Sequence, residues 1–329
     1  MKKSLKMLAL GLAVVPCALV MTACGDGKSE LNINTEGSYQ AVEVTEYQNV
    51  LSDLENRGLT IENILGGARL TIDLGAEIGI ADQTMTLDVA SDNYLVNGSE
   101  AGQLDINKLG LVSENSLSIV SRTGDESSGS ANLYLKDGSF YFDLSGSEDL
   151  LKDFKVDSMI PAYRLYQTIA SGTADDVATM PEFSITDILN IPGTDFGQDI
   201  IIETSEKGDD YKVKATVKGK FVQSLVEDVL SGMASEAGMP TITFNSIGDI
   251  VIYVVYNADG FVGLNMSASV DMGLSIALGA DPSARLPITI KGDVEINMAS
   301  YNGSLDFPSN LNSDSYTALE STESTVAIA

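Results

Sequence analysis

From residue 70 to residue 80 apolar and polar side chains alternate without a break. Leu70, Ile72, Leu74, Ala76, Ile78 and Ile80 fall on one side of an extended chain, and Thr71, Asp73, Gly75, Glu77 and Gly79 on the other. A period of two gives a strand one greasy and one wet face, so this segment predicts a half-buried β-strand. Met85, Leu87 and Val89 continue the alternation beyond Ala81-Asp82-Gln83, which predicts a hairpin. Residues 131–135 and 140–144 predict another, joined through Lys136-Asp137-Gly138-Ser139, in which Asp-Gly is a strong turn signal. The pattern returns at Ile200 and Ile202, crosses Glu206-Lys207-Gly208-Asp209, and resumes at Tyr211, Val213, Ala215 and Val217. Residues 249–256 are apolar on both faces and predict a central strand. After the turn at 257–260, Val262, Leu264, Met266, Ala268, Val270 and Met272 alternate down its return partner. Leu274, Ile276 and Leu278 precede a break at Asp281-Pro282, and Ile288, Ile290, Val294, Ile296 and Met298 run out to Tyr301.

Helical spacing is rarer. Val44, Tyr47, Val50, Leu51 and Leu54 recur at intervals of three and four and predict an amphipathic helix ending near Gly58, with Gly66-Gly67 as a hinge into the first long strand. Between residues 147 and 192 the period of two is lost. Leu150, Leu151 and Phe154, then Ile160, Tyr163, Leu165, Tyr166 and Ile169, predict helices around Pro161, residues 184–189 a further short helix, and 172–181 a loop. Phe221, Leu225, Val229 and Met233, flanked by Val222, Val226 and Leu230, form a wide apolar stripe on a helix that stops near Gly238-Met239-Pro240 and has to cover something. The fold class is therefore α+β and β-rich: a curved antiparallel sheet, or half-barrel, with amphipathic helices on its concave face. The two halves share an outline of helix followed by long strands, so a duplicated unit is the alternative to a single large sheet. The regular strand–helix alternation of two-lobed solute-binding proteins is missing.

The N-terminus specifies where the chain works. Lys2, Lys3 and Lys6 precede an apolar run over residues 8–20, too short to span a bilayer comfortably, which leads to Met21-Thr22-Ala23-Cys24. This arrangement is that of a bacterial lipoprotein signal, with small residues before a cysteine whose thiol takes diacylglycerol before cleavage between Ala23 and Cys24. Cys24 is then the first mature residue and the lipid anchor, with an N-acyl group in organisms that add one. The organisation that follows is a signal peptide over 1–23, a polar tether over 24–38, a β-rich body over 39–308 with its helical section at about 147–192, and a disordered tail over 309–329, rich in Ser, Thr, Asn and Glu. The expected location is extracytoplasmic, anchored to the cell membrane, or to the outer membrane in an organism with two.

Composition narrows the chemistry. The chain carries 19 basic and 47 acidic residues; losing residues 1–23 removes three lysines and leaves 16 against 47, a net charge of −31. Such a surface repels phosphates and argues against nucleic acid as a partner. Cys17 leaves with the signal, so Cys24 is the only mature thiol and no intramolecular disulfide can form. Histidine is absent, which removes the usual base of serine and cysteine hydrolases and the commonest zinc ligand. The paired acids Asp175-Asp176, Asp209-Asp210 and Asp125-Glu126 sit in predicted turns and lack the spacing of a calcium loop, so no metal site and no catalytic residue is assigned. No cofactor is expected beyond the covalent lipid, and the protein is expected not to be an enzyme. Protein partners are not specified by any motif.

What remains is apolar and extended. Long strands greasy on one face, with methionines along them and an amphipathic helix to lie over them, can enclose a cavity for a lipid or another amphiphile, since methionine adapts to irregular ligands. Its candidate lining is Leu70, Ile72, Leu74 and Ile78, with Phe221, Leu225, Val229 and Met233 from the helix and Leu264, Met266 and Val270 from the return strand. Periodicity equally fits a filled core in a surface lipoprotein with a structural or interaction role. The lipobox at 21–24, the polar tether, the strand–helix–strand order through Lys212-Val213-Lys214-Ala215-Thr216-Val217-Lys218-Gly219, the helix to Met233 and the strands over 242–272 resemble the lipoprotein-carrier superfamily of LolA-like carriers and LppX and LprG type lipid-binding lipoproteins. The likeness is best over 200–301. It implies a half-barrel that holds acyl chains under helices, bound or passed on rather than chemically changed, and it transfers no catalytic or binding motif.

Overall fold

The computed structural model describes residues 31–80, 83–100, 103–153, 155, 157–169, 177–179, 194–233, 241–277 and 285–319. The predicted signal and Cys24, the short helix at 184–189 and the helix stop at 238–240 lie outside them. In chain order the elements are β1 (Gln40–Ala41), α1 (Tyr47–Asn56), α2 (Ile61–Gly66), β2 (Gly67–Ile80), β3 (Gln83–Asn97), β4 (Gln103–Asp105), β5 (Leu109–Ser121), β6 (Glu126–Lys136) and β7 (Ser139–Asp143). Then follow α3 (Glu148–Asp153), β8 (Arg164–Thr168), β9 (Val177–Thr179), β10 (Ile200–Lys207), β11 (Asp210–Val217), α4 (Gly219–Met233), β12 (Thr241–Ile247), β13 (Ile250–Asn257), β14 (Gly260–Ala277), β15 (Arg285–Ser300) and β16 (Thr317–Ala318).

Among the described residues fourteen strands form one large, open, curved sheet in the order β1-β10-β11-β13-β14-β15-β2-β3-β5-β6-β7-β8-β16. β12 also pairs with β14, beyond the stretch that β13 occupies, and β4 pairs with β9 apart from the sheet. All pairs are antiparallel except β8 with β16. The hairpins follow the predicted turns. β2 passes into β3 with Ile80 opposite Gln83, and β10 into β11 with Lys207 opposite Asp210. Between β6 and β7, Asp137 and Gly138 have φ of 49° and 71°, the left-handed pair of a tight turn that matches the twist of the strands.

α1 forms as its spacing predicts. Tyr47, Leu51 and Leu54, one face of the helix, are buried against Ile200, Ile202, Tyr211, Val213, Val254 and Tyr256 of the sheet. α2 is an element the sequence pattern did not single out; the Thr60 hydroxyl caps it by accepting from the Asn63 N–H at 3.2 Å, and Ile64 packs on the same core. α4 packs along β12, with Phe221 buried.

Several predicted assignments change. The apolar residues of 163–169 form strand β8, not a helix: Leu165 pairs with Phe142 and Tyr166 with Tyr141, because β7 offers an unpaired edge that a short apolar run of ambiguous period can join. Within the predicted loop at 172–181, β9 pairs with β4. The tether and tail also differ from expectation where they are described. Ile33 is buried and Lys212 Nζ donates to the Glu36 carbonyl at 2.6 Å, so residues 31–38 lie on the sheet. Residues 309–319, predicted to be disordered, bury Leu311 and Tyr316 against Val112 and Tyr134, and end in β16 on the edge of β8. A polar composition conceals the few large side chains that tie each segment down. The strands of both halves join in one continuous sheet.

The start of α4 is fixed from the adjoining strand. Asp249 accepts from Lys218 Nζ at 2.7 Å and from the Gly219 N–H at 3.0 Å, which satisfies one of the helix's unpaired amides. The Lys218 ammonium first, and the Gly219 amide second, hold the Asp249 carboxyl below its ordinary value of 3.8. A lowered folded value means that the contribution is complete above the ordinary carboxylate range and is lost as pH falls through the folded value. Asp249→Ala is expected to cost about 1 kcal/mol at pH 7. Denaturant titrations of both proteins should converge as the pH drops below 3.8, and a gap independent of pH would refute this role.

Candidate functional site

Pairing register places the apolar side chains of the long strands in rows across one face of the sheet. Leu74 lies opposite Val294, and Val294 opposite Ala268; Ile78 lies opposite Ile290, and Ile290 opposite Met272. On the other side of β2, Leu74 faces Val89, Ile78 faces Met85, and Ile119 of β5 adjoins Leu87. Seven of the eleven predicted lining residues, Leu70, Ile72, Leu74, Ile78, Leu264, Met266 and Val270, therefore share this face. The face continues through Ile252 and Val254 of β13 to Ala215 and Val213 of β11.

The two ends of this face differ. At the end where β2 begins, α1 and α2 close over it: Ile202 and Val213 are each 1% exposed and Tyr256 is fully buried, and Leu264 and Met298 pack against the same cluster. Helix and sheet meet there as a filled core. Toward the opposite end, the aliphatic side chains of Leu74, Ile78, Ile80, Val270, Ile290 and Val294 are only half-buried, as are those of Met85, Leu87, Met272 and Ile119. The half-exposed area runs about 20 Å along the strands and about 20 Å across them. Of the helix residues predicted to line the site, Phe221 is buried and Leu225 half-buried, and the side chains of Val229 and Met233 lie outside the described residues.

A polar ladder bounds the apolar rows on the β3–β5 side. Ser91 Oγ donates to Asn115 Oδ1 at 2.7 Å, and Asn93 Nδ2 donates to Ser91 Oγ at 2.8 Å and to the Leu70 carbonyl at 3.0 Å. Asn115 Nδ2 donates to Ser113 Oγ at 3.0 Å and to the Ala131 carbonyl at 2.8 Å. Ser91, Ser113 and Asn115 are buried. Burial of such groups is tolerable only because they satisfy one another. These residues were not singled out from the sequence, although Ser and Asn at inward positions of an alternating strand were the available signal.

The opposite face is polar. Glu77, Asp88, Lys291, Asp293 and Glu295 are exposed on it, and Arg69 pairs with Asp92 through Nε and Nη2 at 3.0 and 2.7 Å. Asn265 Nδ2 donates to Glu295 Oε1 at 2.8 Å and to Asn297 Oδ1 at 2.9 Å. Among the predicted acid pairs, Asp125-Glu126 and Asp209-Asp210 are exposed at hairpin ends, and Asp175-Asp176 lies outside the described residues. Among the described residues no group of three or more acidic, histidine or cysteine side chains is placed to hold a metal ion, and no helix is long and apolar enough to cross a membrane.

A cleft of about 450 Å3 opens elsewhere, at the rim where β2 begins, between the α1–α2 connection, the β13–β14 turn and the end of β15. None of the eleven predicted lining residues borders it, so it is not the apolar cavity predicted from periodicity. Comparisons with protein-family models, with curated proteins and with solved structures give no match.

Proposed function

We propose that this protein is a lipid-anchored, extracytoplasmic lipoprotein that binds or transfers an amphiphile and does no chemistry on it. The observation that carries this reading is the apolar sheet face, in register over β14, β15, β2, β3 and β5, whose aliphatic side chains are only half-buried beyond α1 and α2. A contiguous apolar surface of this kind, backed by a charged face, marks a place where something apolar binds. Each methylene of an acyl chain withdrawn from water there gains roughly 0.8 kcal/mol. Met85, Met266 and Met272 give the surface adaptable side chains. The lipobox ending at Cys24 supports the location, because an anchored body works beside a supply of amphiphiles. The resemblance to LolA-like and LppX or LprG type lipoproteins supports the same ligand class.

The test uses the chain without residues 1–23, carrying Cys24→Ala and purified without detergent. Native mass spectrometry is expected to find a co-purified amphiphile, and a fluorescent fatty acid is expected to bind. Ile78→Gln combined with Ile290→Gln, at opposed positions of β2 and β15, should weaken fatty-acid binding at least about tenfold, or ~1.4 kcal/mol. Both side chains are half-buried, so the loss of binding is read under conditions in which denaturant unfolding shows the double variant to be folded. Absence of both co-purified ligand and uptake, or uptake indifferent to the double substitution, would defeat the proposal. It would leave the alternative of a structural or interaction lipoprotein, which the filled core beneath α1 favours.

A further inference from the structure

The rim cleft is separate from the apolar rows and has its own chemistry. The geometry points to a binding site for a neutral sugar ring in this cleft. Three properties of the lining select that class.

The first is charge. Arg57 and Asp259 bring one cation and one anion to the walls, and the chain as a whole is at −28. The Arg57 guanidinium is already placed: its Nε donates to Asp53 at 2.7 Å and its Cζ lies over the Tyr211 ring, 4.5 Å from the centroid. With its charge offset in this way, it does not turn the cleft into an anion site, and the field of the chain opposes anionic ligands.

The second is the pairing of planar polar groups with apolar surface. Asn63, Asn302 and Asp259 offer amide and carboxylate groups that can bridge neighbouring hydroxyls, and Ser300 adds a hydroxyl. Asn63 is steadied by donating from Nδ2 to the Gly58 carbonyl at 2.8 Å. Phe261 and Tyr301 supply ring surface, and Val96 an aliphatic side chain. A sugar ring has a hydroxylated edge and a C–H face, and these polar groups and apolar surfaces match the two.

The third is space. A volume of about 450 Å3 lies within the range of small-molecule sites. Glycine keeps it open: a Cβ built on Gly66 meets nothing within 4 Å, so that position borders unoccupied room. None of the strand residues proposed to hold the amphiphile lines the cleft, so the sugar and the amphiphile occupy different places.

The full-length protein, extracted from membranes in a detergent without a sugar headgroup, can be titrated calorimetrically with glucose, galactose, mannose, N-acetylglucosamine, maltose and lactose. At least one is expected to bind with a dissociation constant below about 1 mM. Gly66→Leu fills the cleft from a position with ordinary backbone angles, and Asp259→Ala removes an exposed turn carboxylate. Each is expected to weaken that binding at least about tenfold, or ~1.4 kcal/mol, with the thermal unfolding midpoint unchanged. Repeating the titration in micelles doped with diglucosyl-diacylglycerol separates the sources of the ring. Competition assigns the site to a glycolipid headgroup, and indifference assigns it to a soluble glycan. No saccharide binding, or binding that survives Gly66→Leu, would overturn the inference whatever the fatty-acid experiment shows.

Discussion

Tyr256→Ala is expected to lower the stability of the protein by about 4 kcal/mol, near the upper range for losing a buried aromatic ring. Tyr256 is fully buried and stands where helix and sheet are joined. Its ring meets Phe261 edge-on at 5.8 Å and Tyr211 at 6.3 Å, and its hydroxyl donates to the Leu54 carbonyl, 3.0 Å away in the last turn of α1. Burial pushes the hydroxyl well above the ordinary phenol value, so it remains a donor throughout the working pH range. Truncation leaves a cavity among groups held by two different elements, and close packing limits how far they can collapse into it. Tyr256→Phe keeps the ring and should cost only about 1 kcal/mol, because Leu54 keeps the Leu59 N–H as a second donor at 3.0 Å. Denaturant unfolding of the two variants measures the difference. Similar losses for both would mean that the hydroxyl, not the ring, secures α1.

The second large effect is expected at Gly219, the first residue of α4. A Cβ built there overlaps the carbonyl oxygen of Ile247 and comes within 2.7 Å of that of Gly248, and both are backbone atoms that cannot swing aside. The close approach is what lets the Gly219 N–H reach Asp249. Gly219→Ala is therefore expected to cost about 3 kcal/mol and to move α4 off β12. Amide hydrogen exchange should accelerate in β12 while remaining slow in β2 and β15, which are far from the overlap. Gly66→Ala is the matched control, because its Cβ enters open space, and it should be nearly neutral. Equal losses for the two glycines would remove the steric explanation.

The elements that were legible in the sequence are those whose local pattern and final surroundings agree. The alternation from Leu70 to Ile80 became β2 with its apolar side chains on one face, and Asp137-Gly138 made the turn its dipeptide favours. Tyr47, Leu51 and Leu54 buried the expected helical face. β5 was not legible, and the reason lies in the polar ladder. Ser113 and Asn115 occupy inward positions, opposite Asn93 and Ser91, so the apolar alternation fails where the hydrogen bonds take over. The candidate apolar site was half legible. Leu264 shares a face with Ile78, but it packs against the filled core under α1 while Ile78 is not part of that core.

By itself the sequence determined the strand faces, the tight turns, the α1 stripe and the exclusion of histidine chemistry, because each depends on residue types and on spacings within a few positions. Tertiary structure alone decided that Ile78 stands beside Ile290, that β8 and β16 complete one edge of the sheet, and that residues 31–38 and 309–319 return to cover its polar face. It also decided that α1 and α2 close one end of the apolar face while the rows beyond them are half-buried, and it assembled the rim cleft from Arg57, Asp259 and Tyr301. The physical reason is common to all of these. Periodicity records what one face of one element prefers to meet, whereas pairing, coverage and cavities depend on segments distant in the chain competing for the same edge or surface.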